Sequence, residues 1–122
     1  MAAHKYFIRG SDVEGFSPEN HRGTVNKRLV APDTVGAEHL EVVLGIVGDE
    51  GGEGGGSLPH RHADVEQANY ILEGRARVEV AGQVQVLGPG DMCYFPKNTD
   101  HAVTRISEEP LKVLVIYAPP KG

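Results

Sequence analysis

Apolar residues recur with a period of two along much of this chain. Leu40, Val42, Leu44 and Ile46 alternate in HLEVVLGIV, and Ala76, Val78 and Val80 alternate in RARVEV. Val84 and Val86 follow in QVQV, and Leu111, Val113, Val115 and Tyr117 alternate in LKVLVIY. Side chains two apart on an extended strand share a face, so each run reads as a strand with an apolar side. The runs are short and mostly bounded by Gly or Pro, and no apolar stripe of helical period and useful length occurs. Roughly six to nine strands at short spacing predict an all-β fold, an antiparallel sandwich or barrel. Gly74, between YILE and RARVEV, predicts a hairpin of those two strands. Ala81-Gly82 predicts a second, between RARVEV and QVQVL.

Two segments break the alternation. Residues 10–26 are polar and rich in turn formers and read as a loop or arm. Residues 48–57, GDEGGEGGGS, read as a Gly-rich surface insertion beside the candidate site. That insertion lacks the Lys-Ser/Thr ending of a phosphate-cradling loop and opens no helical pattern.

The length of 122 residues fits one domain over 1–122, with an arm and loop over 1–30 and a barrel core over 38–117. The formal charge of −5 comes from 12 Lys and Arg against 17 Asp and Glu, without a basic cluster. Nucleic acid and anionic membrane surfaces are therefore not expected partners. A single cysteine, Cys93, excludes an intramolecular disulfide and fits a reducing cytoplasm. The opening MAAHKYFIRG lacks the apolar run of a secretion signal, and no stretch of 18 apolar residues occurs. A cytoplasmic chain is the expectation.

The chemistry concentrates in two stretches. In the first, His60 and His62 are two apart, so on a strand both imidazoles face one side and can hold one borderline metal ion. In the second, Pro89-Gly90-Asp91 makes a tight turn before MCYF, Pro96 ends that strand, and His101 opens the strand HAVTRI.

Together the two stretches resemble the two motifs of the cupin superfamily. Gly54, His60, His62 and Gly74 match the first motif, and Pro89, Gly90, Asp91, Pro96 and His101 match the second. The resemblance covers about residues 40 to 117 and implies a jelly-roll β-barrel. It also implies one divalent transition metal (Zn, Ni, Fe or Mn), held by His60, His62 and His101. One departure stands out. Counting back six residues from Gly74 places Gln67 at the motif's acidic position, with Glu66 one residue earlier. A one-residue shift turns a strand side chain to the opposite face, so the spacing favours Gln67 as fourth ligand. A local bulge would bring in Glu66 instead. Gln in place of Glu removes one negative charge from around the ion and leaves it a stronger Lewis acid.

Asn69 shares the phase of Gln67 and Arg105 that of His101, so both are candidates for substrate contact. His21, in the N-terminal loop, is a candidate acid/base. Either Met92 and Tyr94 or Cys93 and Phe95 face the cavity. Similar small cupins include dioxygenases, decarboxylases, isomerases and aromatic polyketide cyclases, the last sometimes with a His₃-Gln ligand set. The resemblance thus implies an enzyme acting on a small oxygenated molecule. The alternatives are a non-catalytic module for a sugar or organic acid and a sugar isomerase or epimerase. A homodimer is expected, through Tyr6–Arg9 or the C-terminal LVIYA strand.

Overall fold

The computed structural model describes residues 5–17, 21–48, 56–57 and 64–121, and gives the backbone alone at 21–22 and 56–57. Two five-stranded sheets form, and every strand pair within them is antiparallel. The first contains β2 (Thr24–Val30), β3 (Glu41–Val47), β5 (Glu66–Glu73), β8 (Met92–Phe95) and β10 (Leu111–Ala118), in the order β2-β3-β10-β5-β8. The second contains β1 (His21–Arg22), β4 (Gly56–Ser57), β6 (Ala76–Val80), β7 (Gln83–Leu87) and β9 (His101–Arg105), in the order β1-β4-β9-β6-β7. The expected all-β architecture of antiparallel sheets is what the chain adopts.

Alternating apolar residues from both sheets meet in one core. Val47, Ile71, Phe95, Leu111 and Val113 of the first sheet pack with Ala76 and Val78 of the second. Phe95, Ile71 and Leu111 are the largest fully buried side chains, and removing each from water contributes about 1.5–3 kcal/mol.

The hairpin at Ala81-Gly82 forms as the alternation predicts. Val80 pairs with Gln83 across a two-residue turn, and Ala81 and Gly82 have φ of 50° and 81°, which suits the right-handed twist of the strands. The hairpin predicted at Gly74 does not form. β5 pairs with β10 and β8, and β6 pairs with β7 and β9, so the chain changes sheet at Gly74. Gly74 has φ of 81°, and a Cβ there would meet the Pro110 carbonyl oxygen at 2.7 Å and Leu111 Cα at 2.9 Å. Glycine therefore permits a tight crossover beside β10 rather than a turn within one sheet.

Four further expectations change. The polar loop predicted over 10–26 gives way at Thr24 to β2, which runs seven residues along β3. The phase of β3 is opposite to the alternation chosen from sequence, since Glu41, Val43, Gly45 and Val47 are buried and Val42, Leu44 and Ile46 are half-buried. The phase of β7 also differs, since Val84 and Val86 are exposed and Gln83 and Gln85 lie opposite the inward Val80 and Val78. The C-terminal LVIYA strand, in β10, lies between β3 and β5 and so presents a face and no edge to solvent. A strand apolar on both faces suits that central place. Tyr6–Arg9 is not in a strand.

Candidate metal centre

The second motif builds its own frame. Gly90, with φ of 93°, lets the chain turn, and the Asp91 carboxylate accepts the Gly88 N–H at 2.9 Å. The turn delivers β8 alongside β5, with Gln67 opposite Phe95 and Asn69 opposite Cys93. Residues directly opposite share a face, so Phe95 and Cys93 point inward with Gln67 and Asn69. Met92 and Tyr94 point out and are each 54% exposed.

Phe95 links the two sheets at the site. Its ring stacks on His101 with centroids 4.1 Å apart and planes 6° from parallel. His101 opens β9 and is 2% exposed. Its Nδ1 lies 3.2 Å from the Thr99 carbonyl oxygen, which can only accept, so that nitrogen carries the proton. In the neutral ring the lone pair is then on Nε2, the nitrogen through which such a histidine would meet a metal ion, and Thr99 and Phe95 hold the ring in place.

Gln67 is 7% exposed and donates from Nε2 to Asn69 Oδ1 at 2.9 Å. With its amino end so committed, its carbonyl end is fixed in direction. Gln67 Oε1 is buried and has no hydrogen-bond partner among the described residues. A buried acceptor without a donor costs about 1–3 kcal/mol, and an amide oxygen is also a metal ligand. Glu66 is exposed instead, and its carboxylate accepts the Tyr94 hydroxyl at 2.5 Å. The irregularity in the pairing of β5 falls opposite Lys112/Val113, at the far end of the strand from Glu66.

Behind Gln67 the inward row continues through Tyr117 of β10 to Glu41 of β3. Glu41 is buried and accepts from Arg28 Nε at 2.9 Å and from the Lys121 backbone N–H at 2.8 Å. Burial, with the Glu41 charge adding to it, pushes the Tyr117 phenol up to about 12. These residues give the site a polar floor. Sequence reasoning passed over them because Arg28 and Lys121 stand 13 and 80 residues from Glu41.

Other candidates lie elsewhere. Arg105 is 3% exposed, but its guanidinium donates to the backbone carbonyls of Ser107 and, at 3.2 Å, of Glu108. It sits four residues along β9 from His101, about 13 Å at strand rise, and so braces the β9–β10 loop. His21 belongs to β1 and pairs with Ser57, at the edge of the sheet that carries His101. His60 and His62 lie outside the described residues, in the stretch joining β4 to β5. Among the described residues, no three His, Cys, Asp or Glu side chains gather in one place. His101 and Gln67 fit a metal by donor type, an imidazole nitrogen and a buried amide oxygen without a hydrogen-bond partner among the described residues.

A cleft of about 350 Å3 opens beside this centre, between the β6–β7 hairpin and β8. Val80, the cross-strand neighbour of His101, and Pro96, next to Phe95, both line it. Gln83 and Gln85 bring amides to a wall otherwise formed by Val78, Leu87 and other uncharged side chains. Cys93 is on that wall, and burial pushes its thiol up to about 11.

Residues 49–117 match the family model of the cupin domain. An uncharacterised protein of Methanocaldococcus jannaschii is 36% identical over 67 residues, which is 55% of this chain and 54% of that protein. The chain thus spans about half the length of that relative. The structure of KdgF from Halomonas sp. has a TM-score of 0.78 at 21% identity, covering 96% of each chain. The polyketide cyclase RemF from Streptomyces resistomycificus has a TM-score of 0.77 at 20% identity, covering 93% of this chain and 79% of that one. At such identities the structures share the fold alone, while the domain match spans both histidine-bearing stretches. This chain belongs to the cupin family.

Proposed function

We propose that this chain is a metal-dependent enzyme acting on a small oxygenated molecule with an apolar body. His60, His62, His101 and Gln67 would hold one divalent ion, Zn, Ni, Fe or Mn. The observation that carries this reading is the buried amide oxygen of Gln67, which has no hydrogen-bond partner among the described residues; Asn69 holds its amide nitrogen, and its strand lies beside Phe95, on which His101 stacks. When bound, such an ion supplies Lewis acidity toward enolate, carboxylate or diketone oxygens, or a site for O₂. With a neutral amide where an acidic ligand is usual, that acidity is stronger.

The chain's own residues do the rest. Asn69 orients Gln67, and Thr99 and Phe95 orient His101. The cleft offers apolar walls and two glutamine amides, which suit an aromatic or diketone-like substrate. Among the described residues its lining carries no Lys or Arg, and Arg105 is committed to loop carbonyls. A sugar-phosphate isomerase needs a basic pocket, so that alternative loses support. A polyketide cyclase among the fold neighbours, the reaction class noted for His₃-Gln cupins, is consistent with the same reading. We take residues 1–122 to act as one domain, in the cytoplasm and as a homodimer.

The metal-loaded protein incubated with aromatic diketones, keto acids and sugars, followed by mass spectrometry, tests this function. Turnover of a diketone or keto acid is the expected result. A ligand retained unchanged over hours, with no product from any class, would mean a binding module.

A further inference from the structure

Strand β7 inverts the usual polarity of a sheet. Val84 and Val86 face solvent at 45% and 47% exposure, while Gln83 and Gln85 lie opposite the inward Val80 and Val78. Burial of apolar surface alone would select the opposite phase. The inverted strand forms one wall of the cleft beside the candidate metal centre, and both glutamines line that cleft. Register sets their place relative to His101. His101 pairs with Val80, and Val80 pairs with Gln83, so the three share one inward-facing rung across β9, β6 and β7. Strands lie about 4.8 Å apart, which puts the Gln83 backbone roughly 10 Å from that of His101, with Val80 between them. The inner surface thus runs from the imidazole, over valines, to a pair of amides.

We infer that Gln83 and Gln85 are specificity-determining residues, whose amides hydrogen-bond a neutral hydroxyl or carbonyl at the end of the substrate remote from the metal. This rests on the metal-enzyme reading above and narrows its substrate to an apolar body with oxygens at both ends. The amides select the far group. A primary amide both donates and accepts, so two of them serve the proton and the lone pairs of one hydroxyl together. Two residues apart on one face, their backbones lie roughly 7 Å from each other, and both side chains can converge on one substituent. A hydrocarbon end makes neither bond. A carboxylate or phosphate has no proton to give, and among the described lining residues no Lys or Arg meets its charge. The cleft of about 350 Å3 is near the lower end of ligand-pocket volumes, which suits a body of about two rings.

Isothermal titration calorimetry of the metal-loaded protein with 6-hydroxy-2-naphthoate, 2-naphthoate and 2,6-naphthalenedicarboxylate tests this. The three probes share one carboxylate for the metal and one apolar body, and differ only in the far group. Wild type should bind the hydroxyl probe about 10-fold tighter than 2-naphthoate, the size of one net hydrogen bond, and tighter than the dicarboxylate. In Gln83→Ala/Gln85→Ala the hydroxyl preference should fall to within about twofold, with metal content and circular dichroism unchanged. Both side chains are exposed on an edge strand, so the fold tolerates their loss. Binding of no probe, equal binding of all three, tighter binding of the dicarboxylate, or a hydroxyl preference that the double variant keeps overturns the inference. The same series after chelation separates it from the metal reading. Affinity for every probe should fall without metal. A hydroxyl preference that vanishes with the glutamines but ignores the metal would uphold their role and overturn the metal's.

Discussion

Gln67 is where this chain departs from its motif, and its surroundings decide what the departure does. Asn69 takes the amide's donor end, so the oxygen points away from it. Asn69→Ala should therefore lower metal affinity by about 10–100-fold without unfolding the protein, as losses of ligand-orienting groups do. Competition with a chromophoric chelator measures this, and an unchanged affinity would deny Asn69 that role. Gln67→Ala should weaken metal retention, whereas His62→Ala should abolish it, both read by elemental analysis. Spacing alone pointed to Gln67 over Glu66, because one residue changes the face of a strand. It did not reveal that Arg105 braces a loop, since the carbonyls of Ser107 and Glu108 become its neighbours only once the chain bends. Cys93 gives a pH test. Burial holds its thiol at about 11 against an ordinary 9.0, so the folded state keeps the proton that the unfolded state releases. Alkylation of Cys93 should be slow at pH 8 and accelerate toward pH 11. The matching stability is fully present below pH 9 and is lost as pH rises through 11. Rapid alkylation at pH 8 in the folded protein would contradict this.

At the scale of elements, the two glycine junctions look alike in sequence and differ in space. Gly82 closes a hairpin with nothing within 4 Å of where a Cβ would stand, while Gly74 carries the chain between sheets against Pro110 and Leu111. Gly82→Ala should cost about 1–2 kcal/mol for its left-handed backbone alone. Gly74→Ala adds a backbone clash to that strain and should cost more, as urea denaturation of the two variants will show. Equal losses would remove the distinction. Alternation identified β6 and β10 with their phase, because polar residues or turns mark it, but identified β7 only in its extent, since Gln83 and Gln85 face the cleft and Val84 and Val86 face out. It misjudged β3 because Val42, Leu44 and Ile46 are as apolar as Val43 and Val47, so both phases read alike. It missed β2 at Thr24–Asn26 because a polar strand alongside β3 resembles a loop.

At the scale of the molecule, the two sheets are joined at the proposed metal centre through Phe95 and His101, one from each. An ion bound there by residues of both sheets stabilises the folded state by mass action, by about 2.7 kcal/mol at a free concentration of one hundred times the dissociation constant. For a chain of this size that is several degrees of melting temperature, to be lost on adding a chelator. No helix among the described residues is long and apolar enough to cross a membrane. The central claim is that His60, His62, His101 and Gln67 hold one transition metal ion. Elemental analysis of the purified protein, before and after incubation with Zn, Ni, Fe or Mn and removal of excess, tests it most directly. One ion per chain in the wild type, absent from His62→Ala, is the predicted result. A folded wild-type protein that carries no metal and takes up none would contradict it.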